Sequence, residues 1–187
     1  MSNRLVSFSD LAAFLETDYT ETQNEGIPLA NILDAMTAVF EQYLKRTLSY
    51  GTYTEDYWGT GITVPLNALP VASITSVTYQ TSPLQFTSDY IQSPAGIRLT
   101  TILLDGSAPV TVTYTGGYTV DDSGTIQVPA DMKQAALYQI AYEWKQKDKP
   151  GATLIETAAG RLTIPGLQLL NYVTFLLNPY IHPAFLI

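Results

Sequence analysis

The chain has 187 residues and a net charge of −8 at neutral pH, from nine Lys and Arg against 17 Asp and Glu. Its hydrophobic content of 46% is enough for a sizeable core, since a chain of this length removes roughly 70% of its unfolded surface from water. Without cysteine, disulfides, thiol nucleophiles and cysteine-ligated metals are excluded. A single histidine, His182, leaves little basis for a catalytic triad or a multi-histidine metal site. The acidic charge argues against broad nucleic-acid binding, which needs a basic face.

Two helices are predicted in the first part of the chain. Ser7 and Asp10 form a capping pattern in front of a short apolar stripe, which indicates a first helix. An acidic, polar loop over 16–26 separates it from a longer amphipathic helix over about 28–46, which has a proline in its first turn. No secretory signal is recognised at the start, because no apolar run follows a basic stretch.

Residues 48–128 are predicted to form an antiparallel β region, because Thr, Tyr, Val, Ile and Gly dominate between frequent turn residues. The predicted strands are 50–58, 62–66, 73–80, 97–104 and 109–114. The strongest alternation of apolar residues is in the last of these strands. We expect it to pair with the strand before it, through a turn at Asp105 and Gly106.

A third helix is predicted to begin near Pro129 and to end at Pro150. An extended segment over 152–165 and a short helix over 167–177 follow. The predicted fold class is therefore α+β, a helical bundle with an antiparallel β-domain inserted between the second and third helices. The expected units are 1–47 for the N-terminal helices, 48–128 for the β-domain, 129–150 for the third helix and 151–187 for a C-terminal assembly tail.

The sequence contains none of the common catalytic motifs: it has no phosphate loop, no nucleophile elbow and no dinucleotide fingerprint. Glu55 and Asp56 are adjacent in a predicted strand and point to opposite faces, so they cannot act together on one bond. A solvated strand edge explains them better. Asp121 to Gly124 is interpreted as a turn and not as a calcium loop. We predict no enzymatic activity, no cofactor and no metal.

Two groups of residues leave alternatives open. Lys145, Lys147 and Lys149 either cap the end of the third helix or make electrostatic contacts with a phosphate backbone or an acidic partner. Tyr50, Tyr53 and Tyr57, among 13 tyrosines, either line a platform for a sugar or a base or serve the sheet itself.

The segment 162–187 carries no charge beyond Arg161 and is interrupted by three prolines, which leaves it too short for a membrane span. Its apolar residues occupy more than one helix face, so we predict an assembly element that contacts a neighbouring subunit or another protein of the same assembly. The predicted contacts are Leu170, Val173, Leu177, Tyr180, Phe185 and Leu186. The alternative is a tail that closes over its own domain. Deleting the residues after Arg161 separates the two, because an assembly element leaves a chain that still folds.

Several stretches carry a recognisable pattern; they are, in order, LVSFSDLAAFLE, ILDAMTAVFEQYLKRTL, LNALPVASITSVTY, VTVTYTGGY followed by IQVPADMKQAALYQIAYEW, and LLNYVTFLLNPYI. They are spread along the chain from Leu5 to Ile181. In this order they resemble the head-tail connector (adaptor, or head completion) proteins of tailed bacteriophages. One departure lies at the end, where Ile181 follows Tyr180 in place of the arginine common in such proteins.

This resemblance implies a ring, commonly of twelve subunits, that joins the portal to the tail at the head-tail interface of the virion. The implied partners are further copies of the chain, the portal protein and a downstream tail component, and assembly takes place in the host cytoplasm. The ring would help to retain packaged DNA, which passes through an acidic lumen without sequence-specific binding. No membrane contact is implied. The alternative outside this class is a monomeric β-rich module that binds a carbohydrate or another ligand.

Overall fold

The computed structural model describes residues 3–102, 104–147 and 169–182, and the backbone of 154–157 and 160–163. Within these residues the helices are α1 (Phe8–Phe14), α2 (Gly26–Leu44), α3 (Ala130–Gln146) and α4 (Asn171–Leu177), followed by a 3₁₀ turn at Asn178–Tyr180. Nine of the eleven strands described lie between α2 and α3, and the other two follow α3. This order confirms the predicted α+β class, with a β region between the second and third helices.

The strands are β1 (Gly51–Tyr57), β2 (Thr60–Gly61), β3 (Thr63–Pro65), β4 (Val71–Tyr79), β5 (Ser82–Pro83), β6 (Tyr90–Ser93), β7 (Gly96–Leu99), β8 (Leu104–Asp105), β9 (Val110–Gly116), β10 (Leu154–Thr157) and β11 (Gly160–Thr163). The largest sheet has the order β1-β9-β4-β5, and a second has the order β3-β7-β6. The pairs β2-β8 and β10-β11 complete the set among the described residues, and all pairings are antiparallel.

The two N-terminal helices begin and end for local reasons that are visible in the sequence. Ser7 caps α1, because its hydroxyl accepts a hydrogen bond of 3.1 Å from the backbone N–H of Asp10. Helix α2 ends at Leu44, where Lys45 adopts a left-handed conformation with φ 55°. Both boundaries lie within two residues of the prediction.

The predicted hairpin between 97–104 and 109–114 is wrong. Strand β9 lies between β1 and β4, with Val112 opposite both Glu55 and Val77. Strand β7 pairs instead with β3 and with β6, a strand that was not predicted. Alternation of apolar residues shows that one face of β9 is buried, but it does not specify which strands lie beside it, and the nearest strand in sequence was the wrong choice.

The buried residues form two cores. The helical core comprises Leu5, Val6, Phe8, Leu11, Ala12, Leu29, Ala30, Leu33, Met36, Phe40, Leu44, Leu48, Ile126, Met132, Ala135, Ala136, Ile140, Val173 and Leu177. The β core comprises Val64, Leu66, Ala68, Val77, Tyr90, Ile97, Leu99, Leu104, Val110, Val112 and Tyr114. The helices on either side of the insertion therefore share one core, in which Met36 and Phe40 of α2 and Ala136 and Ile140 of α3 are all buried. Whether 48–128 is separable as a folding unit stays a prediction.

The two cores are joined where the chain leaves and re-enters the helical part. The N–H of Tyr118 donates to the carbonyl of Leu48 at 2.7 Å, and the N–H of Tyr50 donates to the carbonyl of Tyr118 at 2.8 Å. Gly117 adopts φ +96° between these bonds, a conformation that glycine tolerates best. This crossing point fixes the first residues of β1 against the end of β9.

Tyr114, a buried residue of β9, holds the loop before β4 through hydrogen bonds of its hydroxyl group. The hydroxyl of Tyr114 accepts a hydrogen bond of 2.8 Å from the N–H of Ala68 and donates one of 2.6 Å to Glu55. Burial and the neighbouring carboxylate raise the pKa of Tyr114, so its phenol stays protonated. Glu55 also accepts from the backbone and side chain of Asn67. The expectation that Glu55 is only a solvated strand edge is corrected: it holds the loop before β4.

Candidate assembly surfaces

The described residues offer no catalytic or metal-binding arrangement. No three His, Asp or Glu side chains among them lie close enough to hold a metal ion, and no helix in that part of the chain could cross a membrane. A cavity of about 150 Å³ lies between the domains, beside Glu55, Asp56, Asn67 and His182. Ligand sites usually have about 300 Å³ or more. The cavity therefore marks a packing junction.

His182 is part of this junction. It is 1% exposed, and its backbone N–H donates to the carbonyl of Leu44 at 2.9 Å. Its Nε2 lies 2.8 Å from the carbonyl oxygen of Leu66, and because that oxygen can only accept, Nε2 carries the proton. His182 thus connects the end of the described tail to α2 through its backbone and to the β-domain through its side chain.

The predicted assembly residues in and beside α4 lie in the helical core or against it. Val173 and Leu177 are completely buried in the helical core, and Leu170 is partly buried, with its N–H bonded to the side-chain oxygen of Gln139 at 3.0 Å. For residues 169–182 the structure therefore corresponds to the alternative, a tail that closes over its own domain. Removing Val173 and Leu177 would open the core, so deletion after Arg161 is now expected to destabilise the fold. Phe185 and Leu186 lie outside the described residues.

Tyr180 anchors the tail to α3. Its hydroxyl donates to the carboxylate of Asp131 at 2.7 Å, and its ring lies 5.9 Å from the guanidinium of Arg46. Burial first, and the carboxylate of Asp131 second, raise the pKa of Tyr180 to about 12. A predicted partner contact is thus engaged inside the chain.

We expect Tyr180→Phe to lower the free energy of unfolding by about 1 kcal/mol at pH 8, because Asp131 loses a donor. The neutral phenol is favoured by folding, so this contribution is complete below pH 10 and is lost as the pH rises towards 12. Urea unfolding of both chains at pH 8 and pH 11.5 measures the difference. A difference that does not shrink at high pH would contradict the assignment.

The three predicted lysines are not equivalent. Lys147 lies 2.7 Å from Glu25 and 3.7 Å from the ring centre of Trp144, so it fastens the end of α3 to the start of α2. Lys145 is exposed, and Lys149 lies outside the described residues. An electrostatic contact with a partner stays a prediction for them.

The three tyrosines in and beside β1, Tyr50, Tyr53 and Tyr57, do not form a common platform. Tyr53 and Tyr57 are half-buried against the β core, and the hydroxyl of Tyr53 donates to the carbonyl of Ser49 at 2.7 Å. Tyr50 is 46% exposed and lies outside both cores. Their placement favours the structural interpretation of this cluster.

An exposed run of aromatic rings crosses α1, α3 and α4, and we call it the aromatic strip. Phe14 and Tyr138 have ring centres 5.5 Å apart, Tyr138 and Tyr172 have theirs 5.3 Å apart, and both pairs are edge to face. Phe175 lies one turn beyond Tyr172 and is 69% exposed. Sequence reasoning missed the strip, because Phe14 fits the apolar stripe of α1 and nothing in the spacing brings three helices together.

Comparison with known proteins identifies the family. Residues 4–156, from the segment before α1 into β10, match the family model described as "Head completion protein". The chain belongs to the head completion protein family. This family comprises structural proteins of the virion and is not an enzyme family, and it gives the chain a structural role in the head-tail connector. The suspected resemblance is therefore confirmed.

Several solved structures share the fold of this chain. A chain from "Virion of native gene transfer agent (GTA) particle" matches with a TM-score of 0.58 at 17% identity, covering 94% of this chain and 89% of that one. Another, from "Neck of empty GTA particle computed with C6 symmetry", has a TM-score of 0.55 at 18% identity, with 94% and 88% covered. A third, from "Neck of native GTA particle computed with C12 symmetry", has a TM-score of 0.53 at 17% identity, with 96% and 94% covered. No curated protein matches the chain.

Proposed function

We propose that this head completion protein forms a ring in the neck of a tailed particle, between the portal and the next tail component. The observation that carries the proposal is the family match over residues 4–156. The likeness in fold to chains of necks computed with C6 and C12 symmetry supports a ring and favours twelve copies. In this proposal copies of the chain assemble in the host cytoplasm, on a head whose portal is exposed.

The charge of the chain suits a passage for DNA. A net charge of −8 per subunit gives a ring of many copies a strongly negative field. A lumen of that sign repels the phosphate backbone, so DNA slides through without being held by the wall. Retention of packaged DNA then comes from closing the head with further protein, and not from binding of the DNA by this chain.

Particle assembly tests the proposal. Heads made without the chain are expected to carry a portal but to lack tails and to lose DNA, and addition of the purified chain is expected to restore tail joining. The variant Phe40→Ala serves as the negative control, because Phe40 is buried and its truncation destabilises the fold without changing a surface residue. Tailed, infectious particles in the absence of the chain would overturn the proposal.

A further inference from the structure

We propose that the aromatic strip is the surface through which one subunit of the proposed ring contacts the next, and that it packs on the outer face of the neighbour's α2. This inference rests on the proposed ring and assigns its interface. The strip consists of Phe14, Tyr138, Tyr172 and Phe175, which are 40%, 38%, 49% and 69% exposed.

The exposed area of the strip is large enough to form part of a contact surface. Aromatic side chains have roughly 200 Å² each to bury, so the four rings leave roughly 400 Å² open. That is about half of what one partner contributes to a standard interface, and it equals the largest apolar patch of a typical monomer. Aromatic residues are also enriched at the centres of interfaces. Exposed aromatic rings that lie side by side on three helices are therefore better explained by a partner than by the fold.

An ion pair neutralises the charges beside the contact of α1 with α3, although the chain as a whole is acidic. Lys133 donates to Asp10 at 2.7 Å, one turn before the contact of Phe14 with Tyr138, so the two charges beside the strip cancel. Helix α4 contains no charged residue. Two copies of a chain with a net charge of −8 repel each other, and a contact between them is favoured where charge is absent.

The outer face of α2 offers the matching surface. Its exposed residues are Ile27, Pro28, Asn31, Ala35, Ala38, Val39 and Gln42, and none is charged. The acids of this helix, Asp34 and Glu41, are partly buried and bonded to Arg4 and to the N–H of Leu48. An exposed helix face in a soluble protein normally carries charged side chains. Small residues at its centre, Ala35 and Ala38, leave room for large rings.

A ring needs two different surfaces on each subunit, since a surface that pairs with its own copy closes a dimer and stops. The strip lies on α1, α3 and α4, whereas the mate lies on α2, and the two share no residue. Large rings are complementary to an uncharged face whose central side chains, Ala35 and Ala38, are small. Self-pairing of the strips would instead leave the face of α2 uncovered.

Cysteine cross-linking of the full-length chain tests the assignment, and the absence of native cysteine removes the background. Phe175→Cys and Ala38→Cys are made separately and mixed with a short bis-maleimide, both free in solution and on portal-bearing heads. Thr54→Cys, on the exposed side of β1, replaces Phe175→Cys in the control mixture. We expect a covalent heterodimer as the main product of the test mixture only. The doubly substituted chain is expected to give a ladder of oligomers.

Two results would overturn the inference. Cross-linking of Phe175→Cys mainly to itself would show that the strips pair with each other, and a heterodimer yield no higher than in the control would show that the surfaces do not meet. Both differ from failure of the proposed function, in which the chain would not join portal-bearing heads at all. If it joins heads without the cross-link, the ring stands and its interface lies elsewhere.

Discussion

Replacing Phe40 by Ala is expected to lower the free energy of unfolding by about 3 to 5 kcal/mol. Phe40 is completely buried in the helical core, between residues contributed from both sides of the β insertion. Truncation leaves a cavity that α2 and α3 cannot close without moving. Urea unfolding followed by circular dichroism measures the loss.

Val39→Ala is the matched control for this change. Val39 is adjacent in sequence and 40% exposed, so its truncation removes little buried surface and is expected to cost under about 0.5 kcal/mol. A loss below about 1 kcal/mol for Phe40→Ala would mean that the helices do not share one core.

Gly117→Ala is expected to cost about 3 kcal/mol or more, because two separate penalties coincide. Its φ of +96° is unfavourable for any residue with a Cβ, by about 1 to 2 kcal/mol. A Cβ there would also press on the backbone of Ser49 and come within 2.9 Å of the carbonyl oxygen of Leu48. That backbone cannot yield without breaking the hydrogen bonds that join the two cores.

Gly61→Ala separates the two penalties. Gly61 has nearly the same φ, +95°, but a Cβ added to it meets nothing within 4 Å. Its expected cost is therefore only the conformational part, about 1 to 2 kcal/mol. Equal losses for the two substitutions would show that the crossing at Gly117 is not crowded.

The helices could be predicted from the sequence because their signals are local. The capping pair Ser7 and Asp10 and the apolar spacing of α2 and α3 lie within single turns, and each boundary followed from neighbours in sequence. Strand existence was also predicted well where turn residues are frequent. Strand pairing was not, because the partners of β9 are distant in sequence: Thr113 lies opposite Thr54, 59 residues away, and Val112 lies opposite Val77, 35 residues away.

The assembly surfaces were harder to predict for the same reason. The sequence shows which helix residues are apolar but not which helices lie beside them. Val173 was therefore predicted at an interface and is buried, whereas Phe14, in the predicted apolar stripe of α1, is 40% exposed. Tyr172 and Tyr138 are separated by a long stretch of chain and meet only in the fold. The family, by contrast, could be recognised from short stretches spread along the chain, because each preserves a local signal.

The mass of the purified chain mixed with the portal of its own particle tests the central claim most directly. Native mass measurement is expected to show a complex in which a full ring of this chain, with twelve copies favoured, is bound to each portal ring. A portal whose mass is unchanged, beside a chain that remains monomeric at every ratio, would contradict the account.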